Sequence, residues 1–328
     1  MLKQTICCAY CGDIFNPEAD DINPNGLGYW CGCCDYYNYF DVSTVRPKFN
    51  MILEGKGEAN DVPVALKSIR MNKRLSPLRY PGGKSKIADY IYQFISTDKT
   101  DILSSPYAGG ASVELAFLHA GLFKKLVLND YDFGVYSLFQ LIKTFPDALI
   151  MEIRSCRPTR DDYIRARQKI KNDYDGCDMF EAAWSLLLVN RLAYSGIYRA
   201  NPLGGMRGDQ STMLSRWNPG DLCKRINTIH AMSDRYTVHN QDALEFIEEA
   251  FWQDKSTIFI DPPFVGAGKK LYRHYYTEDD HYALQLLLEG LHKETPCADL
   301  LVTYDDAPLI NRIYEYPDIK RIKRKYSA

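Results

Sequence analysis

The chain has 328 residues, of which 46% are hydrophobic and 25% charged, and a formal net charge of −2 at pH 7. This composition is ordinary for a globular protein with room for one large domain or two. No apolar run reaches 18 residues and the amino terminus has no apolar signal segment, so neither a membrane span nor a signal peptide is expected, and a cytoplasmic location is predicted.

Cysteines dominate the first predicted element. Six of the ten lie within the first 34 residues, and in a chain without a secretion signal such clustering indicates metal more than disulfides. Two Cys-x2-Cys pairs, 19 residues apart, predict a structural zinc ribbon over residues 1–55. Its predicted ligands are Cys8, Cys11, Cys31 and Cys34. Cys7 and Cys33 are alternative ligands, and reduced free cysteines are the alternative to zinc.

The charge of this segment is acidic. Through residue 40, Lys3 is its only basic side chain and faces five acids, so the surface would repel phosphates. The ribbon is therefore predicted to be structural or to bind a protein partner. Residues 56–75 are interpreted as a linker.

The main domain begins with Tyr80-Pro81-Gly82-Gly83-Lys84 before an amphipathic helix. A P-loop is excluded because that pattern needs a glycine where Leu78 stands. A strand, a glycine turn with Gly109 and Gly110, and an apolar helix follow, and the next strand ends at Asp130. The turn and the later acid favour an adenosine-bearing ligand in a Rossmann-like fold, although no dinucleotide pattern is present.

The alternation of predicted strands and helices is interrupted over residues 154–235. This region has 14 basic and nine acidic side chains, and therefore a net charge of +5. Arginines, amides and tyrosines interleave with glycine there, which suits contacts with phosphates and bases. Nucleic-acid contacts are predicted for Asn190, Arg191, Tyr194, Ser195, Arg199 and Arg207. The alternative is an ordinary helical subdomain with a polar surface.

Strands and helices then alternate again, which predicts a doubly wound sheet. One apolar strand, residues 257–260, stops abruptly at Asp261-Pro262-Pro263-Phe264. An acid, a proline carbonyl and an aromatic ring suit an exocyclic amino group on a planar base, with Phe264 stacking on the ring. The alternative is a strand that ends in a Pro-Pro turn with a solvated aspartate.

Five ordered motifs give residues 76–326 a resemblance to the Dam-like DNA N6-adenine methyltransferases. They are residues 80–84, residues 105–112, Asn129-Asp130, Asn190-Arg191 with Tyr194-Ser195-Gly196, and residues 261–264. The resemblance implies an α/β, Rossmann-like S-adenosylmethionine-dependent domain over residues 76–328 with a helical DNA-recognition insert at 154–235. It also implies base flipping and direct methyl transfer to the N6 amino group of adenine in double-stranded DNA.

The resemblance assigns roles position by position. Catalysis falls to Asp261, Pro262, Pro263 and Phe264. Cofactor contacts fall to Tyr80, Gly82, Gly83, Lys84, Pro106, Tyr107, Gly109, Gly110, Asp130, Asp242 and Asp261, with Asp130 on the ribose and Asp242 beside the adenine. Three features depart from the family pattern. Ser105 replaces an acid expected to contact the donor's ammonium, and Phe264 replaces a tyrosine. The chain also stops at Ala328, where relatives add a last strand, so that either the chain is a fragment or its sheet has an open edge.

Three alternatives stay open. Methylation of cytosine N4 uses the same chemistry, and RNA could replace DNA as the substrate. A zinc-containing DNA-binding protein with an inactive methyltransferase domain is the alternative from another functional class.

Overall fold

The computed structural model describes residues 6–7, 14–15, 28–31, 33, 37–39, 47–55, 69–80, 82–97, 99–266, 268, 273–294 and 297–323. Its central element is a seven-stranded sheet in which every neighbouring pair is parallel. The strands are β5 (Phe49–Gly55), β6 (Ile102–Ser105), β7 (Lys125–Asn129), β8 (Tyr236–His239), β9 (Ser256–Ile260), β10 (Asp299–Asp305) and β11 (Asp318–Lys323). Their order is β11-β5-β10-β9-β6-β7-β8. The predicted α/β sheet is thereby confirmed.

Helices pack on both faces of the sheet, which explains why its central strands are nearly continuous apolar runs. Ile258 and Ile260 face the cluster formed with the helices around residues 243–251, 278–294 and 308–313. Phe259, between them, faces the opposite cluster. Because neighbouring strands are parallel, their carboxyl ends lie along one edge of a sheet that helices cover on both faces.

The helices, in chain order, are α1 (Ala88–Tyr92), α2 (Ser112–His119), α3 (Phe133–Thr144), α4 (Pro146–Ser155), α5 (Arg160–Lys171), α6 (Met179–Leu192), α7 (Gln210–Met213), α8 (Pro219–His230), α9 (Ala243–Phe251), α10 (Glu278–Glu294) and α11 (Pro308–Ile313). The region 154–235 contains α5 to α8 and, among its residues, no strand of a named sheet. Capping boxes start two of its helices, at Thr159 with Asp162 and at Asp178 with Glu181.

Strand β5 was not expected in this sheet. It comes from residues that the sequence analysis assigned to the zinc ribbon, yet it lies between β10 and β11, with Met51 opposite both Val302 and Ile319. All its residues except Gly55 are buried, so the run Phe49–Leu53 contributes core on both faces. The structure therefore places residues 49–55 in the parallel sheet and not in the ribbon to which the sequence analysis assigned them.

Two short hairpins lie upstream. Strand β1 (Ile6–Cys7) pairs antiparallel with β2 (Ile14–Phe15), and β3 (Gly28–Trp30) with β4 (Tyr37–Tyr39). Three of the predicted zinc ligands, Cys8, Cys11 and Cys34, lie outside the described residues. Within the residues that are described, no group of three or more His, Cys, Asp or Glu side chains could hold a metal ion, and no helix is long and apolar enough to span a bilayer.

Candidate active site

A cavity of about 450 Å³ opens at the carboxyl ends of β6, β7, β8 and β9. From β6 the chain proceeds outward to β7 and β8, then returns to place β9 and β10 on the other side of β6. The crevice between β6 and β9 is thus a topological switch point, where open α/β sheets bind their ligands. All eleven residues predicted to bind the cofactor line this cavity, from Tyr80 on one side to Asp261 on the other.

The glycine turn after β6 is shaped by close approach. Gly109 has a φ of +47°, and a Cβ there would lie 3.2 Å from the ring of Tyr80. A Cβ on Gly110 would lie 3.1 Å from Ser76 Oγ. The absence of both side chains lets the turn pack against Tyr80 and Ser76, and its backbone lines the cavity.

Asp130 fixes this turn from the neighbouring strand. Its Oδ2 accepts a hydrogen bond from the Gly109 N–H at 2.7 Å, and its Oδ1 accepts one from the Asp132 N–H at 2.9 Å. Burial, followed by the nearby Asp132 carboxylate, raises the pKa of Asp130 to about 7. Hydrogen bonds donated by the hydroxyl groups of a ligand would favour the charged form of such a carboxylate.

Asp261, at the end of β9, belongs to a buried charge network. Lys84 Nζ lies 2.7 Å from Asp261 Oδ1 and 2.9 Å from Glu54 Oε1, and Thr303 Oγ1 donates to the same Asp261 Oδ1 at 2.7 Å. Burial raises the pKa of Asp261, and the Lys84 ammonium opposes that shift. Both contacts use Oδ1, and within the described residues no hydrogen bond or ion pair to the other oxygen of this cavity-lining carboxylate is found.

The rest of the predicted catalytic motif is less exposed. Pro263 lines the cavity, whereas Pro262 is buried. Phe264 is also buried, and Lys84 Nζ lies 4.5 Å from its ring centroid. Phe264 is not among the residues that line the cavity. In this structure the ammonium of Lys84 lies over the ring of Phe264. The stacking of Phe264 on a nucleobase stays a prediction.

The predicted DNA-contacting residues separate into two groups. Tyr194, Arg199 and Arg207 are exposed, and Ser195 is partly exposed with a φ of +54°. Asn190 and Arg191 are buried on α6. Asn190 Oδ1 accepts from the Arg79 N–H at 2.7 Å and its Nδ2 donates to the Arg79 carbonyl at 2.8 Å.

Arg191 belongs to a cluster of guanidinium groups beside residues 76–79. It is 6% exposed and donates to the Pro77 carbonyl at 3.5 Å. Arg225 donates to the Ser76 carbonyl at 2.7 Å and pairs with Asp221 at 2.8 Å. Burial first, and then Arg225 and Arg79, lower the pKa of Arg191 to about 10. The mutual repulsion marks an excess of positive charge next to the segment that enters the cavity at Tyr80.

Comparison with known proteins shows the family of this chain. Residues 80–328 match the family described as D12 class N6 adenine-specific DNA methyltransferase. The chain belongs to this family. The Type II methyltransferase M.MjaIII of Methanocaldococcus jannaschii is 21% identical over 271 residues, covering 76% of this chain and 90% of that relative. The Retron Ec67 DNA adenine methylase of Escherichia coli is 23% identical over 253 residues, covering 76% and 84%.

Membership of the D12 class confirms the prediction of an adenine-specific DNA methyltransferase. S-adenosylmethionine is the expected donor and DNA the expected substrate of this family. The matched region starts at Tyr80, so β5 lies upstream of it.

Sequence reasoning missed three parts of the D12 site. Glu54 pairs with Lys84 from β5, Glu114 lines the cavity from α2, and residues 273–276 close one side of it. Within the last segment, Tyr276 OH lies 2.6 Å from Tyr107 OH. A signal for Glu54 was present, because an apolar run that stops at an acid is the same pattern that identified Asp130 and Asp261.

Proposed function

We propose that this chain is a Dam-like D12 enzyme that transfers a methyl group from S-adenosylmethionine to the N6 amino group of a flipped adenine in double-stranded DNA. The observation that carries the proposal is the position of Asp261. Its carboxylate lines the same cavity as the glycine turn and Asp130, on the neighbouring strand end. A methyl acceptor held by Asp261 would therefore lie next to a donor held by the turn.

The cavity fits the donor in size and charge. The backbone of the glycine turn at Gly109 and Gly110 would lie against the donor, Asp130 would accept from ribose hydroxyls, and Asp242 would lie beside the adenine. One oxygen of Asp242 also caps α9 by accepting from the Leu244 N–H at 2.8 Å, which fixes its orientation. When bound, the donor supplies a methyl group activated by a sulfonium centre.

The protein's part in the reaction is to orient the amino group. An exocyclic amine is a weak nucleophile because its lone pair delocalises into the ring. If Asp261 and the Pro262 carbonyl accept its two N–H bonds, the nitrogen becomes more tetrahedral and its lone pair is directed along the transfer axis. Lys84 and Thr303 hold Asp261 in place through Oδ1 and favour its ionised form, which is the form that accepts.

The helical insert, residues 154–235, would hold the duplex. Exposed Tyr194, Arg199 and Arg207 would contact bases and phosphates, and the Arg79–Arg191–Arg225 cluster would attract a backbone phosphate. Asn190 and Arg191 would act mainly through the protein, by holding residues 77–79 against α6.

The amino-terminal segment would be a zinc ribbon held by Cys8, Cys11, Cys31 and Cys34, with its acidic surface directed to a protein partner. Support comes from the two hairpins, because one Cys-x2-Cys pair falls in each connection between paired strands. Turns of this kind present two thiolates to one metal ion. Metal analysis of the purified chain should give one zinc per molecule, and Cys8→Ser with Cys11→Ser should lose it.

The test of function is direct. The purified chain is incubated with mixed-sequence duplex DNA and S-adenosylmethionine, and the nucleosides are analysed by mass spectrometry. N6-methyladenine is expected. N4-methylcytosine would transfer the proposal to the other amino group, methylation confined to RNA would contradict the DNA substrate, and a chain that binds DNA but neither binds the donor in calorimetry nor methylates would be an inactive domain.

A further inference from the structure

Glu114 is a buried acid in the cavity, and neither the resemblance nor the proposed function gives it a role. It is the third residue of α2, is 4% exposed and lines the cavity. Ser105 Oγ, at the end of β6, donates to its Oε1 at 2.9 Å. Backbone N–H groups of Val113 and of Glu114 itself also donate to the carboxylate. These bonds hold a negative charge at the first turn of α2, directly behind the glycine turn.

Among the described residues, no basic side chain pairs with the carboxylate of Glu114. Lys84 and Arg273, which line the cavity, are engaged elsewhere, Lys84 with Glu54 and Asp261, and Arg273 with Asp132 and Asp173. In the part of the chain that the structure describes, no ion pair reaches Glu114. Burial is the main cause that raises its pKa, and the carboxylate of Asp261 adds to it. The Ser105 and backbone bonds lower the pKa, and the net result is a pKa of about 7. A ligand that carries a cation would stabilise the ionised form.

The position of Glu114 along the cavity indicates which cation. In the order β8, β7, β6, β9, the strand ends provide Asp242, Asp130, the glycine turn and Asp261. On the proposed function, these contact adenine, ribose, the amino-acid chain and the methyl acceptor in turn. Glu114 follows β6, so it lies with the amino-acid part of the donor. The sulfonium, by contrast, must lie toward Asp261 for transfer to occur.

We infer that Glu114 binds the ammonium group of the amino-acid end of S-adenosylmethionine, with Ser105 fixing the orientation of the carboxylate. The contact is a charge-assisted hydrogen bond in a water-poor site, which is the stronger kind. It anchors the donor at the end opposite the ribose. This inference rests on the proposed donor but not on the identity of the methyl acceptor.

The inference is tested by calorimetry, which measures how tightly two nucleosides bind to the wild type and to Glu114→Gln. S-adenosylhomocysteine carries the ammonium without the sulfonium, and 5′-methylthioadenosine carries neither. The substitution should weaken S-adenosylhomocysteine about tenfold, the loss of one charge-assisted bond, and should change 5′-methylthioadenosine less than about twofold. Equal losses for both ligands, or no loss for either, would overturn the assignment.

The pH dependence gives a second readout. Wild-type affinity for S-adenosylhomocysteine should rise with pH through about 7, because only the ionised Glu114 pairs with the ammonium. Asp130, with a pKa also near 7, contributes to that rise in both proteins. The rise should therefore be smaller in Glu114→Gln than in the wild type, and an identical rise would count against Glu114.

Rescue and a matched control complete the experiment. Because Ser105 and Glu114 lie 2.9 Å apart, Ser105→Asp in the Glu114→Gln background restores a carboxylate beside the same position and should recover most of the lost affinity. Asp299→Asn removes a partly buried acid with a raised pKa, at the amino end of β10, and should leave both affinities unchanged. Circular dichroism verifies folding of each variant. If the wild type binds neither nucleoside, the proposed function itself fails; if it binds both and Glu114→Gln behaves like the wild type, only this inference fails.

Discussion

The cavity at the strand ends and the helical insert differ in how closely their structure follows from local sequence. Every residue predicted to contact the cofactor lines the cavity, whereas two of the six predicted DNA contacts, Asn190 and Arg191, are buried inside the insert. The cavity residues follow parallel strands, and the carboxyl ends of such strands meet at one edge whatever the side chains are. In the insert, burial depends on how helices pack, which residue type and spacing do not fix.

The largest effect should come from the cavity, at Asp261. Replacing Asp261 with Ala removes the anionic acceptor at the end of β9 and should lower methylation about 100- to 1,000-fold. Affinity for S-adenosylmethionine should stay within a few-fold of the wild type, because the glycine turn and Asp130 are untouched. Single-turnover methylation and calorimetry measure the two effects.

Asp254→Ala serves as the control for that variant, since Asp254 is exposed on the loop before β9, at the other end of the strand. It should methylate like the wild type. Undiminished turnover in Asp261→Ala would remove the basis for assigning the reaction to this cavity.

Predictability within the cavity had a limit, which Glu54 illustrates. Its strand satisfies the same rule as β9, an apolar run followed by an acid, but it precedes the D12-matched region and was assigned to the ribbon. Sequence order gave no reason to expect a strand from residues 49–55 beside β10, because parallel pairing is set by the whole sheet. Phe264 shows the converse case: its position in the motif was evident, but its burial under Lys84 was not.

A large effect of a different kind is expected at Asn190 in the insert. Asn190→Ala leaves the partly buried N–H and carbonyl of Arg79 without this side-chain partner, so the free energy of unfolding should fall by about 1–3 kcal/mol. Denaturant unfolding measures it. Asn227→Ala, on the exposed side of α8, should change the free energy by less than about 0.5 kcal/mol. Equal stability of the two variants would place Asn190 among surface residues and favour a direct DNA contact.

Glu54→Gln tests whether β5 contributes to the cavity. The Glu54 carboxylate raises the pKa of Asp261, so its neutralisation should lower that pKa, and Lys84 can then approach Asp261 alone. Asp261 accepts in its ionised form, so activity is present above its pKa and is lost as pH falls through it. The acid limb of turnover against pH should therefore move to lower pH.

Glu289→Gln is the matched control, because Glu289 is a buried acid on α10 that accepts from the Glu315 N–H, outside the cavity lining. Its acid limb should coincide with that of the wild type. A Glu54→Gln limb that moves upward or stays in place would limit β5 to a structural role.

The smallest effect should come from Arg207, an exposed residue of the insert. Arg207→Ala removes one positive charge without disturbing buried contacts, so stability should not change and DNA affinity should fall a few-fold at low salt. The slope of log affinity against log salt should decrease by about one, as expected for one phosphate contact. Lys125→Ala makes the same charge change at the amino end of β7, the edge of the sheet away from the cavity, and should leave the slope unchanged. If both variants reduce the slope equally, long-range charge and not the insert surface governs DNA binding, and the contrast between cavity and insert would reduce to one between a defined pocket and a diffuse field.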